Sequence, residues 1–139
     1  MKVPCPFAVM LPAFTLAFGP ALAQTADPLQ PQVLPQAAVS VAGGAHLRGL
    51  DKVSGAVTDI DLATGQGGTF GRLAIEMGEC RYPTDNPAAD AFGHLVIRDT
   101  SDGAIVFDGW MVASSPALNA LDDARYDIWL LSCQTAQAG

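Results

Sequence analysis

The strongest constraint on the fold is the spacing of apolar side chains, which recur at every second position. Within 73–78 the large apolar residues are Leu73, Ile75 and Met77, with smaller or acidic residues between them, and 56–62 shows a similar two-residue period. In an extended chain this period places alternate side chains on opposite faces, whereas a helix repeats its apolar positions every third or fourth residue. The pattern therefore predicts β-strands.

Three further segments read as strands: 94–98, 104–112 and 126–133. The Ser-Asp-Gly at 101–103 predicts a hairpin turn, and the glycines of 65–68 predict another turn. A loop with two prolines spans 83–90. In 114–121, Ser115 suits a cap position and Pro116 a first helical position, so one short helical turn is expected. We predict an all-β fold: a small antiparallel meander of five or six strands that closes into a barrel or a sandwich.

The first 23 residues have the pattern of a cleavable signal peptide. Lys2 is followed by an apolar stretch at 7–18 and by small residues up to Ala23, so cleavage is expected between Ala23 and Gln24. Four prolines interrupt this segment, which argues against a transmembrane span. We therefore expect an exported, periplasmic protein.

The rest of the chain divides by composition. Residues 24–45 are rich in proline, glutamine and alanine and predict a flexible tether. A single β domain is expected over 46–133, and a disordered tail over 134–139.

Export also decides the role of the cysteines. Cys5 leaves with the signal peptide, so Cys80 and Cys133 remain as a pair in an oxidising compartment and are expected to form a disulfide. Closing a loop of this length is worth about 4 kcal/mol in the chain-entropy model.

The charge balance restricts the partners. Asp and Glu number 14 against 7 Lys and Arg, a net charge of −7. Such a chain repels phosphate backbones and anionic lipid, so nucleic acid is not an expected partner. The expected partners are an envelope protein or a glycan, and no cofactor is predicted.

Catalytic and metal-binding patterns are weak. Ser114 and Ser115 follow a strand but lack the G-x-S-x-G pattern that exposes a nucleophilic serine, and capping explains them more simply. His94 reads as a strand residue, and Asp59-x-Asp61 lies on a strand rather than on a calcium-binding turn. No catalytic or metal site is predicted, although a pocket joining His94 to either serine would indicate a small hydrolase.

A repeated Asp-x-Trp pattern is the main candidate for ligand binding. Asp108 and Trp110 share one strand face, as do Asp127 and Trp129 on the last strand. If these strands are neighbours, two indoles and two carboxylates form one patch of the kind that binds sugars. The alternative is that both tryptophans lie in the core, with the aspartates accepting from the indole N–H groups.

The segment 109–118, which runs from the end of the fourth strand into the following loop, is unusually apolar. It contains Met111, Pro116 and Leu118 and carries no charge until Asp122. Two interpretations remain open: the segment folds back as a plug over the end of the domain, or it is exposed and contacts a partner.

Four segments together resemble an exported bacterial family, domain of unknown function twenty-one fifty-five, of the alpha-class Proteobacteria. They are LRGLDKVSG at 47–55, FGRL at 70–73, FDGWMVASSPAL at 107–118 and YDIWLLSC at 126–133. The resemblance implies a Gram-negative periplasmic setting and no known activity. The sequence as a whole predicts a non-catalytic binding or structural module of the periplasm, with a glycan-binding domain or a small hydrolase as alternatives.

Overall fold

The computed structural model describes residues 36–135, which form two antiparallel β-sheets. Eight strands follow one another along the chain: β1 (Val39–Ala42), β2 (Gly44–Asp51), β3 (Val57–Ala63), β4 (Gly67–Phe70), β5 (Leu73–Pro83), β6 (Phe92–Asp99), β7 (Ile105–Val112) and β8 (Tyr126–Cys133). Sheet A has the strand order β1-β5-β6-β7, and β4 also pairs with β5. Sheet B has the order β3-β2-β8. The predicted all-β antiparallel fold is confirmed, with eight strands where the sequence predicted five or six.

The chain passes between the sheets along one side of the molecule. β1 and β2 are separated only by Gly43, and a short turn joins β3 to β4. These two corners are tied together, because the Thr64 N–H donates to the Gly43 carbonyl. On the opposite side, no ladder joins β7 to β8 within residues 36–135. The sheets therefore form an open sandwich and do not close into a barrel.

A single apolar core fills the space between the sheets. Both sheets contribute fully buried side chains, the largest of which are Leu47, Leu73, Ile75, Met77, Leu95, Ile97 and Ile128. Cys80 on β5 and Cys133 on β8 are joined by a disulfide with a Cα–Cα distance of 5.7 Å. The predicted disulfide is therefore confirmed, and it links sheet A to sheet B.

The strands begin earlier than the sequence predicts. β1 and the first residues of β2 lie within 24–45, the segment assigned to a flexible tether. The difference arises because the core positions of this segment hold small residues. Ala42 and Ala45 are buried in the core, but they give no alternating apolar pattern in the sequence. The signal peptide, the cleavage site between Ala23 and Gln24, residues 24–35 and residues 136–139 lie outside the described part of the chain.

The predicted helical turn is present as a short 3-10 helix at Pro116–Leu118. Ser115 occupies the cap position but makes no side-chain capping bond. The connection runs along the free edge of β7, where the Asn119 amide donates to the Trp110 carbonyl at 3.0 Å. Over residues 36–135, no helix has the length and apolar character needed to cross a bilayer.

Candidate functional site

The four residues predicted to form an Asp-Trp patch lie on two different faces. Asp108 and Trp110 are on β7 in sheet A, whereas Asp127 and Trp129 are on β8 in sheet B. In both strands these residues alternate with buried ones, so their side chains point away from the core. The prediction of one shared patch is therefore wrong, because β8 pairs with β2 and not with β7.

Trp110 is the centre of a set of contacts on the outer face of sheet A. Its indole ring lies edge-on to the His94 ring, with centroids 5.4 Å apart. The guanidinium carbon of Arg81 lies 5.0 Å from the centre of the indole. Trp110 nevertheless remains 37% exposed. These contacts hold a solvent-accessible aromatic ring in a fixed orientation.

Charged side chains fix the residues around the indole. Arg81 donates from Nε and Nη2 to the two carboxylate oxygens of Glu79 at 2.6 and 3.1 Å. This bidentate hydrogen bonding lowers the pKa of Glu79 and raises the pKa of Arg81. His94 Nε2 lies 3.3 Å from Asp108 Oδ1. The two side chains that contact Trp110, Arg81 and His94, are thus each held by an acidic partner.

A strip made of four apolar side chains and one arginine extends from Trp110 across sheet A. Val41 is opposite Arg81, and Arg81 is opposite Phe92, so the three side chains share one face. We call the set Val39, Val41, Arg81, Phe92 and Trp110 the Trp110 strip. Residues 36–39 form one wall of a groove of about 650 Å³ on this strip, with Arg81, Phe92 and Trp110 as the rest of its lining. Arg81 is the one charged residue in that lining.

Most of this strip was not predicted from the sequence. The spacing placed Trp110 on a strand face, but it did not predict that Arg81 or Phe92 lies on the same face of the sheet. One signal was available: Cys80, as a disulfide cysteine, points inward, so its neighbour Arg81 points outward. Which indole Arg81 contacts depends on the pairing of β5, β6 and β7 and could not be read from the spacing.

The outer face of sheet B carries two pairs of hydrogen-bonded polar side chains. Arg48 is opposite both Trp129 and Asp59, and its guanidinium makes two hydrogen bonds to Asp59 at 2.7 and 3.1 Å. The neighbouring Asp61 carboxylate accepts a hydrogen bond from His46 Nδ1. Both aspartates thus have partners on adjacent strands. No group of three potential metal ligands occurs in the part of the chain that the structure describes.

The serines after β7 are part of a loop anchor. The Ser114 hydroxyl donates to Asp90 at 2.7 Å, and its N–H donates to the other carboxylate oxygen of Asp90 at 3.0 Å. The Ser115 N–H donates to the Val112 carbonyl. Among residues 36–135, no hydrogen bond joins His94 to either serine, so the arrangement that would indicate a hydrolase is not present there.

The predicted partner-contact residues separate into two groups. Met111 is 3% exposed and belongs to the core, so its assignment to a contact surface is wrong. It lies inward because it follows the outward-facing Trp110 on the same strand. Pro116 and Leu118 are exposed, Leu118 by 76%. The residue of this connection that fills the core is Leu121, which is 5% exposed.

Comparison with known proteins gives two matches. The family model described as "Uncharacterized protein conserved in bacteria (DUF2155)" matches residues 45–133. The "Uncharacterized protein RP359" of Rickettsia prowazekii (strain Madrid E) is 28% identical over 87 residues, which are 60% of this chain and 56% of the relative. The chain thus spans about half the length of that relative. No solved structure matches this chain.

Proposed function

The chain belongs to the DUF2155 family of uncharacterised bacterial proteins, and we propose that it acts as an exported, non-catalytic binding or structural module of the periplasm. The family membership confirms the resemblance found in the sequence motifs. Two features support export: the signal-peptide pattern of residues 1–23, and the Cys80–Cys133 disulfide, a bond that persists mainly in oxidising compartments.

The Trp110 strip carries the proposal of binding. Tryptophan and arginine are enriched among the residues that dominate protein interfaces. Here an accessible indole is oriented by Arg81 and His94 and adjoins the exposed valines Val39 and Val41. A fixed aromatic ring beside an apolar groove loses little conformational freedom when a ligand binds, which favours affinity.

A pair of matched valines tests this proposal. Val41 on the Trp110 strip is 62% exposed, and Val57 on sheet B is 57% exposed. Val41→Asp and Val57→Asp therefore make the same chemical change at equally accessible strand positions, and both are expected to keep the melting temperature.

The readout is chemical cross-linking of the protein in intact Gram-negative cells, followed by mass spectrometry of the cross-linked products. We expect Val41→Asp to remove specific cross-linked products and Val57→Asp to retain them. Identical cross-linking profiles for the two variants would contradict binding through the Trp110 strip.

Export is tested separately from binding. The mature protein is expected in the periplasmic fraction with Gln24 as its first residue, as measured by intact-mass spectrometry. A mature protein that retains Met1 would refute the export proposal.

A glycan ligand is the second candidate, favoured by the exposure of Asp108 next to Trp110 on the same strand face. Arg81 covers part of the indole, so a sugar ring would have to stack on the remaining accessible surface. Trp129→Phe leaves Trp110 as the one tryptophan, and its fluorescence can be titrated with soluble peptidoglycan fragments. Saturable quenching that Asp108→Ala abolishes would support this candidate, and an unchanged spectrum would remove it.

A further inference from the structure

The backbone of β1 has a regular pattern of used and unused hydrogen-bonding groups. The Thr84 N–H donates to the Ala38 carbonyl, and Ser40 is opposite Tyr82 in the register with β5. In an antiparallel strand, the N–H and C=O groups of successive residues point to opposite sides. The groups of Ala38 and Ser40 therefore face β5, whereas those of Val39 and Val41 face away from it.

The free part of this edge is short and well defined. At its far end the Gly43 carbonyl, which also faces away from β5, accepts a hydrogen bond from the Thr64 N–H. Within residues 36–135 no strand pairs with the outer side of Val39–Val41. The edge thus presents two donors and two acceptors, spaced two residues apart.

The side chains at this edge are apolar and exposed. Val39 is 48% exposed and Val41 is 62% exposed, and both lie on the outer face that carries the Trp110 strip. A strand added beside β1 would place alternate side chains on this same outer face, directly against Val39 and Val41. Unpaired ladder groups and an apolar surface therefore meet at one position.

We propose that the β1 edge binds an extended peptide segment of a partner protein as an added strand, with its alternate apolar side chains packed against Val39 and Val41. Main-chain hydrogen bonds to Val39 and Val41 supply a sequence-independent part of the affinity, and the two exposed valine side chains supply selectivity for apolar residues. This inference rests on the proposed binding function and specifies the ligand class.

Charge decides which occupant the edge favours. The chain carries 14 acidic residues against 7 Lys and Arg, so a basic peptide is attracted, a neutral one is not repelled and an acidic one is repelled. A second copy of this chain would bring two acidic surfaces together, which disfavours pairing of two β1 edges. The bound segment is therefore extended, neutral or basic, and apolar at alternate positions.

The probe is a short synthetic peptide of alternating valine and threonine with a lysine at each end, and its control is the same peptide N-methylated at every residue, which removes the donors of both strand edges. Amide hydrogen exchange of the full mature chain is followed by NMR. We expect the amides of Val39 and Val41 to exchange readily in the free protein and to become protected by the peptide, whereas Ser40 is protected in both states. The N-methylated peptide is expected to give no protection.

Two substitutions at one position test the same edge. Val41→Pro removes an N–H that faces away from β5, so it blocks the edge without breaking the β1–β5 ladder, while Val41→Thr keeps the N–H. We expect Val41→Pro to weaken peptide binding at least about tenfold relative to Val41→Thr, a factor equal to about 1.4 kcal/mol. Both variants are expected to keep the exchange protection of Ser40.

Three results would overturn the inference. Peptide-induced shifts at Trp110 without protection of Val39 and Val41 would leave the binding function in place but refute strand addition. No shift at either the edge or the strip would also refute it. A concentration-dependent dimer that protects both valine amides without peptide would identify a second copy as the occupant.

Discussion

The substitution Gly71→Ala tests the packing at the end of the sandwich, because it places a methyl group where the Tyr126 ring lies. Gly71 has a φ of +56°, and a Cβ atom added there would contact Tyr126 Cζ and lie 2.5 Å from the phenolic oxygen. Tyr126 is 7% exposed. Its ring centre is 5.4 Å from the guanidinium of Arg72, 5.2 Å from that of Arg125 and 5.5 Å from the Phe70 ring. Displacing the ring would disturb contacts with all three neighbours.

Two separate costs add in this variant. A left-handed backbone costs a residue with a side chain about 1–2 kcal/mol relative to glycine. Forcing an extra methyl group into a packed site typically costs about 1–3 kcal/mol more. We therefore expect Gly71→Ala to lower the free energy of unfolding by about 2–5 kcal/mol, a large part of the stability of a domain of this size.

Gly103→Ala is the matched control. Gly103 has a φ of +75°, but a Cβ atom added there meets nothing within 4 Å. This variant isolates the backbone cost, about 1–2 kcal/mol. The entropy that alanine removes from the unfolded chain is similar in both variants and cancels in the comparison.

The assay is urea denaturation of the disulfide-bonded protein, followed by tryptophan fluorescence. The expected result is a lower midpoint for Gly71→Ala than for Gly103→Ala at the same denaturant slope. Equal midpoints for the two variants would refute the proposed clash with Tyr126 and leave the backbone conformation as the whole effect.

Three other perturbations test the disulfide, an ion pair and the loop that covers β7. Cys133→Ser opens a loop closed over a sequence separation of 53 and should lower the unfolding free energy by about 4 kcal/mol, measured by urea denaturation. The pKa of Asp51 is lowered from 3.8 to about 2, and the hydrogen bond from Arg125 is the largest cause. The stability that this carboxylate contributes is therefore complete above pH 3.8 and is lost as the pH falls toward 2. Arg125→Met should flatten the loss of melting temperature over that pH range, and an unchanged acid profile would contradict this. Leu118→Asp at a 76% exposed position should leave the melting temperature unchanged, whereas Leu121→Asp at a 5% exposed position should cost several kcal/mol. Equal melting temperatures for the two variants would show that Leu121 does not fill the core.

Local sequence patterns were sufficient for most of the strands. The alternation at 73–78 lies within β5, and the Asp-Gly turn at 101–103 separates β6 from β7 as predicted. Gly103 has the positive φ that such a turn requires. These features depend on neighbours along the chain, so they can be read from the sequence.

Three strands were missed: β2, which has eight residues, and the short strands β1 and β4. β4 is Gly67–Phe70, in a segment predicted as a turn, and β1 lies in the proline-rich region. Gly68 allows the backbone of β4 to lie close to the Leu62 side chain, because a Cβ atom at Gly68 would lie 2.9 Å from a Leu62 methyl group. Pairing with β5 holds β1 and β4 in place, and a pattern of single residues does not reveal such pairing.

By itself, the sequence determined the all-β class, the disulfide partners and the sharing of one strand face by each tryptophan and its aspartate. The tertiary structure alone decided that Trp110 and Trp129 are on opposite sides of the sandwich and that Arg81 stacks on Trp110. The physical reason is that a two-residue period separates inward from outward positions within one strand only. Which strands become neighbours depends on hydrogen-bond registers and core packing between segments far apart in the chain, as in the pairing of Arg48 with Trp129.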